Sequence, residues 1–296
     1  MSVLEHPAEH RTRRRRGALL ANLRTGLRRN WLALLGIVII FVVLTAAATS
    51  VVWTPYPVGL QGLGVPYAGP SLAHPFGLDH AGRDLLSRVM GGAAIAMVVG
   101  VGTSLLTAVV GILLGMLAGF YRGWVDTVVS TIISIWYGIP DLLVALLFVV
   151  FLGRGLQNII IAITLTRWME MARLVRGQTL SLRERDYVEA ARAAGTRDRN
   201  LVLRHILPNA AGPIIVQATY LLPQAILFEA FLSYLGLGVR PPAPSWGTMA
   251  ADGFRAIQFA PHTVLAPAIA ISLTLLAFNW VGDGLRDAFD PRMRQQ

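Results

Sequence analysis

Few residues in this chain of 296 could do chemistry, and what is missing narrows the choice first. All 26 basic residues are arginine. A phosphate-cradling G-x-x-x-x-G-K-[ST] loop needs its lysine at the β- and γ-phosphates, so this chain cannot carry one. Transport driven by ATP would need a separate ATPase subunit. Cysteine is absent, which removes disulfides, thiolate metal sites and cysteine nucleophiles. The six histidines (His6, His10, His74, His80, His205, His262) are scattered and form no H-E-x-x-H pair. His74 and His80 read as polar surface of an outer loop rather than as metal ligands. Neither a metal centre nor a cofactor is expected in this chain.

What remains are polar groups set in apolar sequence. Asp141 follows Pro140 in the middle of an apolar run. A carboxylate there is costly in hydrocarbon and marks either a translocation path or a polar contact between helices, while the proline removes a backbone donor and kinks the helix. Glu229, near the outer end of a later run, reads as a structural or gating contact. Trp246, in a proline-rich stretch, is a candidate to seal a pore, meet an external partner or anchor at the membrane interface. Asp283 and Arg286 are expected to pair.

Composition identifies the elements that must hold these groups. Apolar residues make up 54% of the chain, charged residues 14%, and mean hydropathy is +0.57. A globular protein carries about 25% charged residues, so this is an integral membrane protein. About 20 residues are needed to cross the hydrocarbon. Runs of that kind predict six spans: Trp31 to Val52, about Ala93 to Phe120, about Val125 to Leu152 with its interruption at Pro140-Asp141, Leu156 to about Leu174, about Ala210 to Leu235, and about Thr263 to Val281. The fourth is the weakest, because Arg167 and Glu170 lie in it. Arginine placement supports it nonetheless. With the N-terminus inside, 21 arginines fall on the cytoplasmic side and five outside, as the positive-inside rule requires. Deleting the fourth span would put the arginine-rich loop after it outside. The basic start, apolar run and Ala46-Ala47-Ala48 also resemble a secretory signal, but the run is long for one and is read as a retained span.

The predicted division is a cytoplasmic basic segment (residues 1–30), a first span (31–52), an outer loop rich in Pro and Gly (53–88), a core of five spans (89–285) and a cytoplasmic tail (286–296). Inside the core the one long inner loop, 173–208, is the most specific feature. Asp186 to Ala194 favours helix and Gly195 supplies a left-handed stop. Thr196 can cap a second short helix with Asp198 in its first turn, ending before Pro208. The apolar positions Val188, Ala191, Ala194, Leu201 and Val202 suit docking into a partner's groove. An arginine-rich loop that only anchors to anionic headgroups is the alternative. Gly111-x3-Gly115-x3-Gly119 lets a second helix approach closely.

Glu189-Ala190-Ala191-x3-Gly195, followed by Leu207-Pro208, resembles the E-A-A-x3-G…I-x-L-P signature of bacterial ABC-importer permeases, with His205 at the usual isoleucine position. Gly82-Arg83-Asp84-x-Leu86-Ser87-Arg88, the run Glu229 to Gly238 with Pro241-Pro242-x-Pro244-Ser245-Trp246-Gly247, and Gly282-Asp283-x-Leu285-Arg286-Asp287-x-x-Asp290-Pro291-Arg292 are further blocks. Together they resemble the C-type permease subunit of dipeptide, oligopeptide and nickel importers over about residues 30–292. The resemblance implies an all-α, six-span type I importer fold and a heterodimer with a second permease. It further implies two cytoplasmic ATPase domains, which hold ATP and Mg, and an extracytoplasmic solute-binding protein. It places Glu189, Ala190, Ala191, Gly195, Thr196, Asp198, Leu201, Leu207 and Pro208 in the ATPase-coupling segment. Asp141, Glu229 and Trp246 are the candidates for the path or gate. A secondary transporter would be expected to show repeated halves with broken helices, and no repeat is visible. A membrane enzyme would need a nucleophile or metal constellation, and none is found.

Overall fold

The computed structural model describes residues 30–289. Its regular elements are α1 (Trp31–Val52), α2 (Leu85–Tyr121), α3 (Gly123–Tyr137), α4 (Asp141–Leu152), α5 (Leu156–Arg183), α6 (Asp186–Ala193), α7 (Leu207–Tyr234), α8 (Trp246–Phe254) and α9 (His262–Phe289). A three-residue turn, Asp198–Asn200, and a π-helical stretch, Leu201–Ile206, lead directly into α7. Among the described residues the only pairing of β type is a single bridge between Leu78 and Asp84. The eight N-terminal arginines and the closing Asp290-Pro291-Arg292 lie outside the described residues.

Among the described residues four helical runs are long and apolar enough to cross a membrane: α1, α2, the run from Asp198 to Tyr234, and α9. Helices α3 and α4 make a fifth only as a pair, because they meet at 92°. Where one kinked helix was expected for the third span, the chain forms two helices with a sharp break between them. Gly138, Ile139 and Pro140 separate the two halves, and Pro140 has no N–H to continue the ladder. Helix α5 is 28 residues long, but Arg167, Glu170, Arg173 and Arg176 keep it below the apolarity of the others.

Several boundaries differ from expectation for identifiable reasons. Helix α2 starts at Leu85, well before Ala93, because the Asp84 carboxylate accepts from the Ser87 N–H at 2.8 Å and caps it. Helix α5 runs on to Arg183, so the inner connection is shorter than 173–208. The second short helix expected to end before Pro208 does not stop there: the turn Asp198–Asn200 and the π stretch carry the chain without a break into α7, with Pro208 in its first turn. Helix α9 likewise continues through Arg286 to Phe289.

Helix α2 is the centre of the bundle and lies along α5. The seam is built from small residues. A Cβ on Gly111 would lie 2.5 Å from Met171 Cβ, one on Gly115 2.5 Å from the Ala172 carbonyl oxygen, and one on Gly119 2.7 Å from Thr179 Cβ. The glycine spacing thus forms a groove into which α5 fits, the small-residue packing expected of helices in lipid. On the other side Val99, Ile159, Ile163 and Leu232 join α2, α5 and α7 in one buried cluster. Ala93, Ile226, Trp246 and Phe278 join α2, α7, α8 and α9 in another.

Candidate functional site

Three polar constellations sit along this bundle: at the end that carries the 184–206 connection, which arginine placement predicts to be the inner one, in its middle, and at the opposite end, predicted to be the outer one. At the inner end α6 closes with a Schellman turn. The Thr196 N–H donates to the Ala191 carbonyl at 3.1 Å and the Gly195 N–H to the Arg192 carbonyl at 2.9 Å, while Gly195 takes φ +80°. The left-handed stop at Gly195 is present. Thr196 does not cap the next turn: Arg197 occupies that position, and no side chain accepts a cap hydrogen bond there.

Of the apolar positions expected to face a partner, all but Ala194 are turned toward the bundle. Val188, Leu201 and Ile206 are fully buried around Phe120 at the inner end of α2, with Ala191 and Val202 half-buried beside them. A loop that must follow the membrane surface gains more by covering its own bundle than by leaving these side chains in water. The outward surface is formed instead by Tyr187, Glu189, Ala190, Ala193, Ala194, Gly195 and Asp198; Thr196 and Leu207 are half-buried and Pro208 is exposed. Arg183 donates to the Phe120 carbonyl, and Arg122 pairs with Glu184. Burial, then the nearby Arg122 and Arg192, hold the Arg183 guanidinium below its ordinary value. Both contacts tie the end of α5 to the turn after α2.

In the middle, the α3–α4 bend opens a cavity of about 240 Å³ lined by Trp136, Tyr137, Asp141, Arg167, Met169 and Glu170, among others. Asp141 stands at the N-terminus of α4, where its Oδ1 accepts the Leu142 N–H at 2.8 Å. Its Oδ2 lies 2.7 Å from Arg167 Nη2. Arg167 Nη1 reaches Glu170 Oε1 at 3.2 Å and Gln224 Oε1 at 3.3 Å. The sequence marks Arg167 and Glu170 only as charges that weaken a span. Their meeting with Asp141, and the aromatic walls Trp136 and Tyr137, depend on the bend and are not visible in it.

At the outer end Glu229 is 1% exposed and accepts hydrogen bonds from Ser233 Oγ at 2.6 Å and Ser245 Oγ at 2.8 Å. Ser245 in turn caps α8. Trp246 is not an interfacial anchor: it is 2% exposed, and its indole donates to the Val89 carbonyl at 2.9 Å. Its ring occupies the space a Cβ on Gly92 would need, at 2.5 Å. His74 is not surface either, for its Nδ1 lies 3.0 Å from a carboxylate oxygen of buried Asp84. Asp79, also buried, takes Arg83 at 2.6 Å and Arg88 at 3.4 Å. Asp283 does not pair with Arg286; it accepts the Tyr220 hydroxyl at 2.5 Å, which a residue on α7 presents to α9.

Residues 111–295 match the family model described as binding-protein-dependent transport system inner membrane component. The chain is 42% identical over 268 residues to the oligopeptide transport system permease protein OppC of Bacillus subtilis, covering 90% of this chain and 88% of that one. It is 42% identical over 271 residues to the dipeptide transport system permease protein DppC of the same organism, covering 91% and 84%. A glutathione transport system permease protein, GsiD of Escherichia coli, is 45% identical over 226 residues, covering 76% and 75%. Among solved structures, the MetNI methionine ABC transporter in inward-facing conformations matches with a TM-score of 0.54 at 20% identity, over 70% of this chain and 96% of that one. That likeness shows the fold. With the all-helical bundle and its apolar spans, these matches establish a multi-pass membrane permease subunit, and the chain belongs to the family of binding-protein-dependent transport system inner membrane components.

Proposed function

We propose that this chain is one of two permease subunits of an ATP-driven importer of dipeptides or oligopeptides. The names of the relatives support the substrate class. In this reading the chain has six spans, with the α3–α4 pair as the third and α5 as the fourth. Both termini are cytoplasmic, residues 53–88 form the outer loop, and 1–30 and 286–296 lie inside. A second permease completes the pathway, two ATPase domains hold ATP and Mg, and an external binding protein delivers the solute.

The observation that carries the coupling is the Schellman turn at Gly195. It ends α6 and sets the start of the helix that becomes α7, so a push on the outward face of α6 is delivered to a membrane-long element. Glu189, Ala190, Gly195 and Asp198 form the surface an ATPase would grip, with Thr196 at its edge and Ala191 packed beneath it. Leu201 fastens it to Phe120, and Leu207 and Pro208 begin the span. ATP closes the ATPases, the loop carries that movement inward, and the pore turns from inward- to outward-facing; hydrolysis resets it. ATP must favour the closed arrangement over the open one, since equal affinity would shift nothing. Asp141 lines the path, while Glu229 and Trp246 brace its outer gate. A permease of the same kind for a nickel chelate or heme is the second reading, and a secondary transporter the third.

The test is reconstitution. Vesicles holding both permeases and the ATPases should take up labelled dipeptide when ATP and loaded binding protein are supplied. This chain alone should neither bind nor hydrolyse ATP. Uptake without the ATPases, driven by an ion gradient, would overturn the reading.

A further inference from the structure

The inner loop and the outer cap hold opposite ends of the same helix. At one end of α2, Phe120 is 6% exposed, and Val188, Leu201 and Ile206 of the loop pack around it. Its carbonyl is among the last of α2, which have no intrahelical donor. Arg183 supplies that donor, and its guanidinium lies 5.8 Å from the centre of the Phe120 ring. Arg122, which ends the helix, pairs with Glu184. The loop cannot move away from Phe120 without opening a cavity in this cluster, so it must take the end of α2 with it.

The other end of α2 lies about 46 Å away by residue count, from Phe120 to Val89. There the Val89 carbonyl accepts the Trp246 indole N–H at 2.9 Å. Trp246 and Met249 of α8 are buried with Leu85, Ala93 and Met97 of α2. Between these joints α2 contains no proline. Its glycines are held by their neighbours: a Cβ on Gly92, Gly100, Gly111, Gly115 or Gly119 would meet another residue at 3.0 Å or closer. Helix α7 also runs from loop to cap, and Ser245 links it to α8 through Glu229 at 2.8 Å. However, Pro213 and Pro223 interrupt its hydrogen-bond ladder, the usual cause of bends in a long helix. Of the two routes α2 is the stiffer.

We propose that α2 is the rod that carries movement of the inner loop to α8, and that Phe120 is the positioning residue that fastens the loop to it. The loop displaces Phe120, α2 moves against α5, and Trp246 follows at the outer end. Coupling of this kind is reciprocal, so a partner that displaces α8 from outside biases the inner loop by the same free energy. The proposal rests on the importer reading above, in which ATPases move the loop.

The experiment uses the complete complex of two permeases and ATPases. Because this chain has no native cysteine, spin labels can be placed at Val52→Cys, 85% exposed at the end of α1, and Arg255→Cys, exposed at the end of α8. Their separation is measured without nucleotide and after trapping with ATP and vanadate, per trapped complex. The wild-type distance should shift on trapping. Trp246→Phe keeps a ring but has no N–H for Val89, and Phe120→Leu keeps an apolar side chain but has no ring for Arg183. Each should at least halve the shift, whereas Ser245→Ala, which cuts the link from α7, should retain it. Arg183→Gln, at the same joint as Phe120, carries the test if either of the first two variants does not assemble. A full shift in Trp246→Phe or Phe120→Leu overturns the proposal, and loss confined to Ser245→Ala assigns the movement to α7 instead. Equal loss in all three means that α8 has come loose, and also overturns it, as does a trapped wild-type complex with no shift. A wild-type complex that traps no nucleotide removes the importer reading itself.

Discussion

Replacing Gly195 isolates the backbone from every other influence on the inner loop. Its φ is +80°, and a Cβ built there meets no heavy atom within 4 Å. A side chain at this position is therefore penalised only for the left-handed backbone, about 1–2 kcal/mol for an ordinary residue, and asparagine pays less because it tolerates that region. At about 1.4 kcal/mol per factor of ten, alanine should lower the equilibrium constant for the capped loop several-fold and valine, being β-branched, more than tenfold. Asn should stay near wild type. The assay is dipeptide uptake together with stimulation of ATP hydrolysis by loaded binding protein, at matched membrane abundance. Arg197→Gln, an exposed change, is the control; Arg183 would be a poor one, because it donates to the Phe120 carbonyl. The order glycine, asparagine, alanine, valine supports the argument. Equal loss for all three replacements would mean that bulk at a contact surface matters rather than φ. Normal stimulation in Gly195→Val would refute the role of the turn.

The α2–α5 seam should fail for the opposite reason. In Gly115→Val the new side chain meets a backbone oxygen at 2.5 Å and Val175 Cβ at 2.8 Å; such overpacking costs about 1–3 kcal/mol, read as lower abundance and earlier thermal unfolding, whereas Gly177→Ala, with open space around it, should be neutral or better. Because the native chain has no cysteine, single cysteines map the sides: positions 62 and 252 should label from outside in sealed cells, and 185 should not, with labelling at 185 refuting the six-span arrangement.

Local sequence carried the features that local physics decides. The glycine triplet announces a groove because nothing but close approach explains three glycines on one face, and α5 fills it. Gly195 announces a helix stop for the same kind of reason. Features that depend on where distant helices land were not legible. Val188 and Leu201 looked like a docking face because their true partner, Phe120, is far away in the chain. Asp141 could be seen as misplaced, but its partner Arg167 comes into reach only through the bend. His74 looked like surface because Asp84, which holds it, first had to cap α2 from a loop that the proline and glycine pattern leaves without a shape.

The π stretch Leu201–Ile206 also stores length without changing direction. Its i→i+5 turn is wider than that of an α-helix, so its six residues turn through about the angle that five cover in α-helix. Deleting a single residue there would let the segment relax to regular α-helix without breaking the rod from Asp198 to Tyr234 and with the turn at Gly195 facing nearly the same way. Deleting one residue from the regular helix between Leu207 and Tyr234 would instead swing that turn by about 100° relative to the far end of the rod. The π stretch is thus the one place in this rod where a residue can be lost while the Gly195 turn keeps its direction.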